Sequence, residues 1–274
     1  MKGGNIITGD TGELIKDLRN ISSKGWIKSG YKGTGSIGLT FEKELKNNPN
    51  SLFFPDFNGI EIKCSSRFSR YPFSLFSCAF EGPTFPEINR IINLYGYPDY
   101  KYPDKNVLRV DLNAKELKKK GKYKFKLFID DIKEKMFLEV YDLKDRLIER
   151  KSFIYLDTII SRLKLKLNHL AIVYGSKKKL DDIFYYRYYK IDIYDLKDEL
   201  SIINLLKEGK IIVTLECRVG KSDENDGKYK NKNLVFKINR DNLECLFNKK
   251  YTINEDYNID MDYNSFNQNF FILG

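Results

Sequence analysis

Pro55-Asp56-Phe57-Asn58-Gly59-Ile60-Glu61-Ile62-Lys63 is the stretch on which the reading of this chain turns. Asn58-Gly59 is a turn signal. Gly59 to Cys64 then places β-branched residues at alternate positions and predicts a strand. Side chains on a strand alternate between faces. Ile60, Ile62 and Cys64 therefore point into a core, and Glu61 and Lys63 stand side by side on the opposite face. Asp56, just before the turn, can fold back toward them. Two carboxylates converging on one point suit a hard divalent cation such as Mg²⁺. A lysine beside them can orient the attacking water or offset developing negative charge. The same letters also fit a half-exposed strand with a solvated charged face, so the surrounding sequence has to decide.

Outward from this stretch, apolar spacing predicts helices over 10–21, 36–45, 86–95, 155–165 and 196–207, the last closed by Gly209. Residues 241–247 read as a short helix, and Asn47 to Asn50 as the end of the second helix. Strands are predicted at 107–112, 123–129, 136–141, 170–174, 183–193, 211–219 and 234–238, with Lys118 to Lys122 as a basic hairpin tip. The apolar end of the chain (Phe270, Phe271, Ile272, Leu273) suits an edge strand. This mixture predicts an α/β core with a mixed sheet.

Three blocks in order resemble the MvaI/BcnI family of type II restriction endonucleases, relatives of the mismatch-repair nickase MutH. They are Lys32 to Glu42, Pro55-Asp56 through Glu61-Ile62-Lys63, and Ser74-Leu75-Phe76-Ser77 through Gly82-Pro83. The middle block is similar to the PD-(D/E)xK signature. The resemblance implies a MutH-like restriction-endonuclease fold, with a mixed central sheet flanked by helices and two lobes around a DNA cleft. It implies Asp56 and Glu61 as ligands of Mg²⁺, Lys63 as the catalytic lysine, and Glu42 as an additional acidic residue near the metal. Without the family pattern, Glu42 reads as a solvated helix residue beside Lys43 and Glu44. Leu215 to Gly220 resembles a family strand that carries an acidic residue and an arginine toward the bases, which implies Glu216 and Arg218 as DNA contacts. An arginine bidentate on guanine and a carboxylate accepting from cytosine are the chemistry such a pair offers; a surface ion pair is the plainer alternative. The segment with Lys228, Lys230 and Lys237 departs from the histidines, glycine-threonine pair and arginine that the family has there. Those three lysines are taken as further DNA contacts, and the departure leaves the family's recognition sequence uncarried to this chain.

The implied activity is Mg²⁺-dependent hydrolysis of double-stranded DNA at a short specific sequence by a monomer, with a cognate DNA methyltransferase as a partner in the same system. A strand-specific nicking or repair endonuclease with the same site is an alternative. A DNA-binding protein with a degenerate nuclease site is another. Residues 1–150 are expected to be mainly the catalytic lobe and 151–274 mainly the recognition lobe, unless the chain is one domain.

Bulk properties agree. A chain of 274 residues can bury a full core. The formal charge is 48 − 38 = +10, which suits a polyanionic partner. Cys64, Cys78, Cys217 and Cys245 are far apart, with no C-x-x-C pair, which argues against a zinc or redox site and fits a reducing cytoplasm. No secretory signal and no stretch near ~20 apolar residues is present.

Gly33-x-Gly35-x-x-Gly38 matches the dinucleotide fingerprint by letter, but no buried strand is predicted before it. His169, the sole histidine, has no nucleophile pattern near it and reads as structural. Tyr185-Tyr186-Arg187-Tyr188-Tyr189-Lys190 interleaves aromatic and basic residues. Such a run suits stacking on bases or contact with phosphate, but a strand with one aromatic face in the core is the favoured reading.

Overall fold

The computed structural model describes residues 9–33, 35–45, 55–66, 71–221, 224–254 and 259–261. In chain order the elements are α1 (Gly9–Ser23), β1 (Ile27–Lys28), α2 (Ser36–Glu44), β2 (Ile60–Ser66), β3 (Phe73–Cys78), α3 (Glu87–Tyr95), β4 (Tyr97–Pro98), β5 (Asn106–Leu112), β6 (Lys118–Lys120), β7 (Tyr123–Asp130) and β8 (Lys135–Tyr141). They continue with β9 (Leu147–Tyr155), α4 (Leu156–Leu167), β10 (His169–Leu180), β11 (Ile183–Leu196), α5 (Ser201–Lys207), β12 (Ile211–Val219), β13 (Tyr229–Ile238), α6 (Leu243–Leu246), β14 (Phe247–Asn254) and β15 (Ile259–Met261). The expected ends at Asn47–Asn50 and Phe270–Leu273 lie outside the described residues.

The chain forms two compact units that interleave in sequence. The first takes Met1–Arg70, Lys164–Lys197 and Phe247–Gly274; the second takes Tyr71–Leu163 and Asp198–Leu246. No single cut near residue 150 separates them.

The first unit is built on a mixed sheet of order β15-β14-β11-β10-β2, with β1 also paired to β11. β2 and β10 run parallel, Glu61 opposite Leu170 and Lys63 opposite Ile172. The other pairs in this sheet are antiparallel. A parallel pair needs a long crossover connection, and here residues 67–168 make that connection. Leu14, Ile15, Leu18 and Ile21 form the inward stripe of α1, and Ile37 and Phe41 that of α2. They pack on Ile60, Ile62, Ala171, Val173, Tyr186 and Tyr188 of one sheet face. Polar contacts fix α2 in place as well. The Tyr188 hydroxyl donates to the Ile37 carbonyl at 2.7 Å, and Ser36 Oγ meets the Tyr186 hydroxyl at 2.6 Å. The Phe41 and Tyr188 rings meet edge-on, 4.9 Å between centroids.

The second unit holds two antiparallel sheets, β3-β13-β12-β5-β4 and β6-β7-β8-β9. Phe76 stacks on Phe236 between β3 and β13, and Leu108, Leu112, Val213 and Leu215 are fully or almost fully buried. Two differences from expectation have simple causes. The helix expected over 196–207 begins only at Ser201, because Leu196 still pairs with Phe247 in the sheet. The run 241–247 divides into a 3₁₀ turn at Arg240–Asn242 and a single α turn, and Phe247 already belongs to β14.

Candidate active site

The motif strand folds as its alternation requires. Ile60 and Ile62 enter the core with α1 and α2, and Cys64 packs against it. Asn58 and Gly59 take positive φ, 40° and 83°, and the turn closes with paired backbone bonds between Phe57 and Ile60. That turn returns Asp56 to the strand, where its Oδ2 accepts the Ile62 N–H at 3.0 Å. The sequence-level alternative of a solvated charged face does not describe Glu61. Its side chain is 1% exposed.

Glu61 is the centre of the site. Its Oε1 accepts from Lys63 Nζ and lies 3.4 Å from Lys166 Nζ. Its Oε2 is buried with no hydrogen-bond partner. Burial pushes the carboxyl up from its ordinary value, and the Asp56 charge adds to this, while Lys63 and Lys166 pull the other way. Glu42, on the α2 turn that follows Phe41, joins the same group. Burial raises its carboxyl, the Asp56 charge raises it further, and Lys63 and Lys166 offset part of the rise. The structure thus brings Asp56, Glu61, Lys63 and Glu42 together. Three acids in one place are held in check by two ammoniums.

Lys166 was not singled out by the sequence. It sits in the last turn of α4, 166 − 63 = 103 residues after Lys63, and only the fold brings it to Glu61. A buried carboxylate oxygen without a partner carries a cost of about 1–3 kcal/mol or more. A cation at Oε2 would relieve it, so the residues present fit a divalent metal. Among the described residues no cluster of three or more His, Cys, Asp or Glu is arranged to hold an ion. Mg²⁺ typically takes one or two carboxylates and fills its shell with water and phosphate oxygens, so a site of this kind needs no larger cluster of protein ligands.

The five expected DNA contacts lie in the second unit. Glu216 faces Arg109 across the β12–β5 pair, and Arg218 faces Lys230 across β12–β13. Arg109 Nε and Arg218 Nε both lie 3.9 Å from Glu216 Oε1. Arg109, Arg218 and Lys230 line an open concavity of about 680 Å³ together with Tyr97, Tyr100 and Lys221. Lys237 pairs instead with Ile212, four residues along β12 from Glu216, roughly 13 Å at the rise of a strand. Lys228 is exposed beside the 224–227 turn, and its Nζ reaches the Glu224 carbonyl at 3.4 Å. The structure therefore groups Glu216, Arg218 and Lys230, adds Arg109, places Lys228 beside Gly220 at the edge of the concavity, and sets Lys237 apart. Arg109 was legible in principle, because the alternation of Val107 to Leu112 turns it outward.

The competing motifs resolve as follows. Gly33 takes φ 90° and Gly35 caps α2, while Gly38 lies within the helix over Cys64. The strand before them is the two-residue β1, so the dinucleotide reading fails. His169 is half exposed and its Nδ1 lies 2.8 Å from Asp195 Oδ1. No described helix is long and apolar enough to cross a membrane.

The sequence matches the model of the MvaI/BcnI restriction endonuclease family over residues 15–247. A solved structure described as a restriction endonuclease MvaI–cognate DNA substrate complex is similar at 25% identity and TM-score 0.82, covering 87% of this chain and 96% of that one. A structure of restriction endonuclease MvaI in the absence of DNA is similar in fold at 24% identity and TM-score 0.55, covering 91% of this chain and 99% of that one. A comparison with curated proteins returned no match. By class the protein is a type II site-specific deoxyribonuclease. It belongs to the MvaI/BcnI restriction endonuclease family, whose model spans most of its length.

Proposed function

We propose that this enzyme hydrolyses phosphodiester bonds of double-stranded DNA at a short specific sequence, with Mg²⁺ held by Asp56 and Glu61. Restriction endonucleases generally use a divalent metal. Bound Mg²⁺ would supply Lewis-acid polarisation of the scissile phosphate. The observation that carries the reading is Glu61, buried, with one oxygen toward two lysines and the other without a partner. Lys63 holds that carboxylate by hydrogen bond and, from the same strand face, orients the attacking water toward phosphorus. Lys166 holds the same oxygen of Glu61 from α4, so Oε2 keeps a fixed direction. Glu42 adds negative charge beside Asp56 and accepts a proton from the water network. Hydrolysis leaves a 5′-phosphate and a 3′-hydroxyl.

Base recognition falls to Glu216, Arg218 and Lys230 with Arg109. The two arginines suit guanine N7 and O6, and Glu216 suits cytosine N4. Lys237, away from that cluster, and Lys228, at its edge, suit backbone phosphates. The enzyme acts as a monomer in the cytoplasm, with a methyltransferase of the same specificity as its counterpart.

The test is cleavage of unmethylated plasmid and phage DNA with Mg²⁺ and with EDTA, for the parent and Lys63→Ala. Discrete Mg²⁺-dependent fragments from the parent alone, with DNA binding retained in the variant, are expected. Nicked circles alone would point to a strand-specific nickase. Cleavage by Lys63→Ala at near the parent rate would overturn the site assignment.

A further inference from the structure

The aromatic–basic run at 185–190 is divided by the sheet. Tyr186 and Tyr188 are buried beneath α1 and α2. Tyr185 and Arg187 take the opposite face, the one that carries Glu61 and Lys63. β10 and β11 extend beyond the sheet as a ribbon closed by a two-residue turn at Asp181 and Asp182, both at positive φ. Among the described residues, β2 accompanies β10 only as far as Gly175, and β14 reaches only Lys190 of β11. On this ribbon Lys178 pairs with Tyr185, Ser176 with Arg187, and β1 adds Lys28 opposite Tyr185. Paired residues of neighbouring strands share a face. Trp26, two residues before Lys28 and 41% exposed, lies under Lys178 Nζ at 4.4 Å from the ring. Lys178 also lies 5.6 Å from the Tyr185 ring.

We propose that this patch of Lys28, Lys178, Arg187 and Trp26 binds the phosphate backbone of the DNA duplex flanking the cleavage site. The proposal rests on the DNA-cleaving function argued above and adds a surface outside its machinery. Charge selects the ligand, because Lys28, Lys178 and Arg187 share one face of the ribbon. The rings serve as supports. Lys178 covers Trp26, so the patch presents ammonium and guanidinium groups more than bare aromatic faces, which favours phosphate over unpaired bases. Position selects the segment of DNA. Lys178 is 178 − 172 = 6 residues along β10 from Ile172, the neighbour of Lys63, roughly 20 Å at the rise of a strand. One base pair advances about 3.4 Å, so a contact at that distance reaches phosphates up to about six base pairs from the scissile one, in the flank of a short site.

Trp26 is the sole tryptophan and reports on the patch directly. The experiment titrates the full chain with duplexes of long and short flanks, in EDTA, over a range of salt, following tryptophan fluorescence and mobility shift. The variants are Lys28→Gln/Arg187→Gln and, as a charge-retaining control, Lys28→Arg/Arg187→Lys. Each phosphate contact contributes about 0.9 to the slope of log affinity against log salt, so the double glutamine variant is expected to lose about 2 from that slope. It should also become indifferent to shortening the flank below about six base pairs, and the control should behave as the parent. An unchanged salt slope in a variant that still binds duplex would overturn the patch and leave the nuclease reading standing. A slope change seen only with single-stranded DNA would overturn the duplex assignment. Absence of any duplex binding by the parent would overturn both.

Discussion

Glu61→Gln separates the metal from the protein scaffold. The amide keeps the shape of the side chain and removes the charge that would attract a cation. Two effects on the metal-free protein oppose each other. The variant no longer buries a charge beside Asp56, although the amide atom in the place of Oε2 still has no partner, so the gain is at most about 1–3 kcal/mol. It also leaves Lys63 and Lys166 without their ion-pair partner. Those lysines are 24% and 21% exposed, so that loss is of the same order, below the cost of breaking a fully buried pair. The metal-free variant should thus unfold within about 2 kcal/mol of the parent. Added Mg²⁺ tells them apart. A ligand that binds only the folded state at a hundred times its Kd stabilises it by about 2.7 kcal/mol. For a chain of this size that is a rise of roughly 5–10 °C in the thermal midpoint. The parent should show it without any DNA present, and the variant should not. Equal stabilisation of the two proteins by Mg²⁺ would refute the reasoning that Glu61 Oε2 is where the cation goes.

Three further outcomes follow from the second unit and the thiols. Glu87 is buried and accepts from Arg90, Ser152 and Thr84. Despite its burial, these bonds hold its carboxyl below the ordinary value. A depressed folded value contributes stability that is present above the unfolded value near 4.3 and lost as pH falls through the folded one. Glu87→Ala should cost about 3 kcal/mol at neutral pH, following the breaking of a buried pair, and should flatten the acid limb of a stability–pH profile; an unchanged limb would count against this. At Gly96 a Cβ would lie 2.4 Å from the Ile92 carbonyl oxygen, so Gly96→Ala should lower stability by about 1–3 kcal/mol, read from denaturant midpoints. Cys245 is exposed, while burial raises Cys78 to about 12 and Cys64 well above the usual thiol range. A thiol reagent at pH 8 should therefore label one site quickly in the native protein, and Cys245→Ser should abolish that phase.

Much of the first unit was legible because its elements obey one period each. The stripe of α1 and the alternation of Ile60 to Cys64 both survive into the core. Asp56 could be placed because a turn of known chemistry follows it. Strands that lie partly in solvent escaped notice. β9 reads Leu147 to Tyr155 with Glu149, Arg150 and Lys151 inside it, and β14 contains Lys249 and Lys250. β10 was expected at 170–174 and runs to Leu180, because its second half leaves the sheet and so keeps no apolar alternation. The meetings that Lys166 and Arg109 make escaped for another reason. Their partners, Glu61 and Glu216, are 105 and 107 residues away (166 − 61 and 216 − 109), and no local pattern encodes such a meeting. The readings of Asp56, Glu61, Lys63 and Glu42 as a group came from motif order, and the geometry that gathers them comes from the turn that folds Asp56 back onto β2 and from the packing of α2 against that strand.

That parallel pairing also sets a clock for synthesis. Glu61 waits for Leu170, its neighbour on β10, 170 − 61 = 109 residues later. At about 5–20 residues per second that interval lasts roughly 5–22 s. Closure of the sheet waits further, for β14 at Phe247–Asn254, by which time residues 216–237 have been made. A nascent or truncated chain therefore carries the acidic motif without the sheet that aligns it. Non-local pairings of this kind form late and slowly, so the full sheet that holds the acidic motif is complete only after Glu216 to Lys237 have been made.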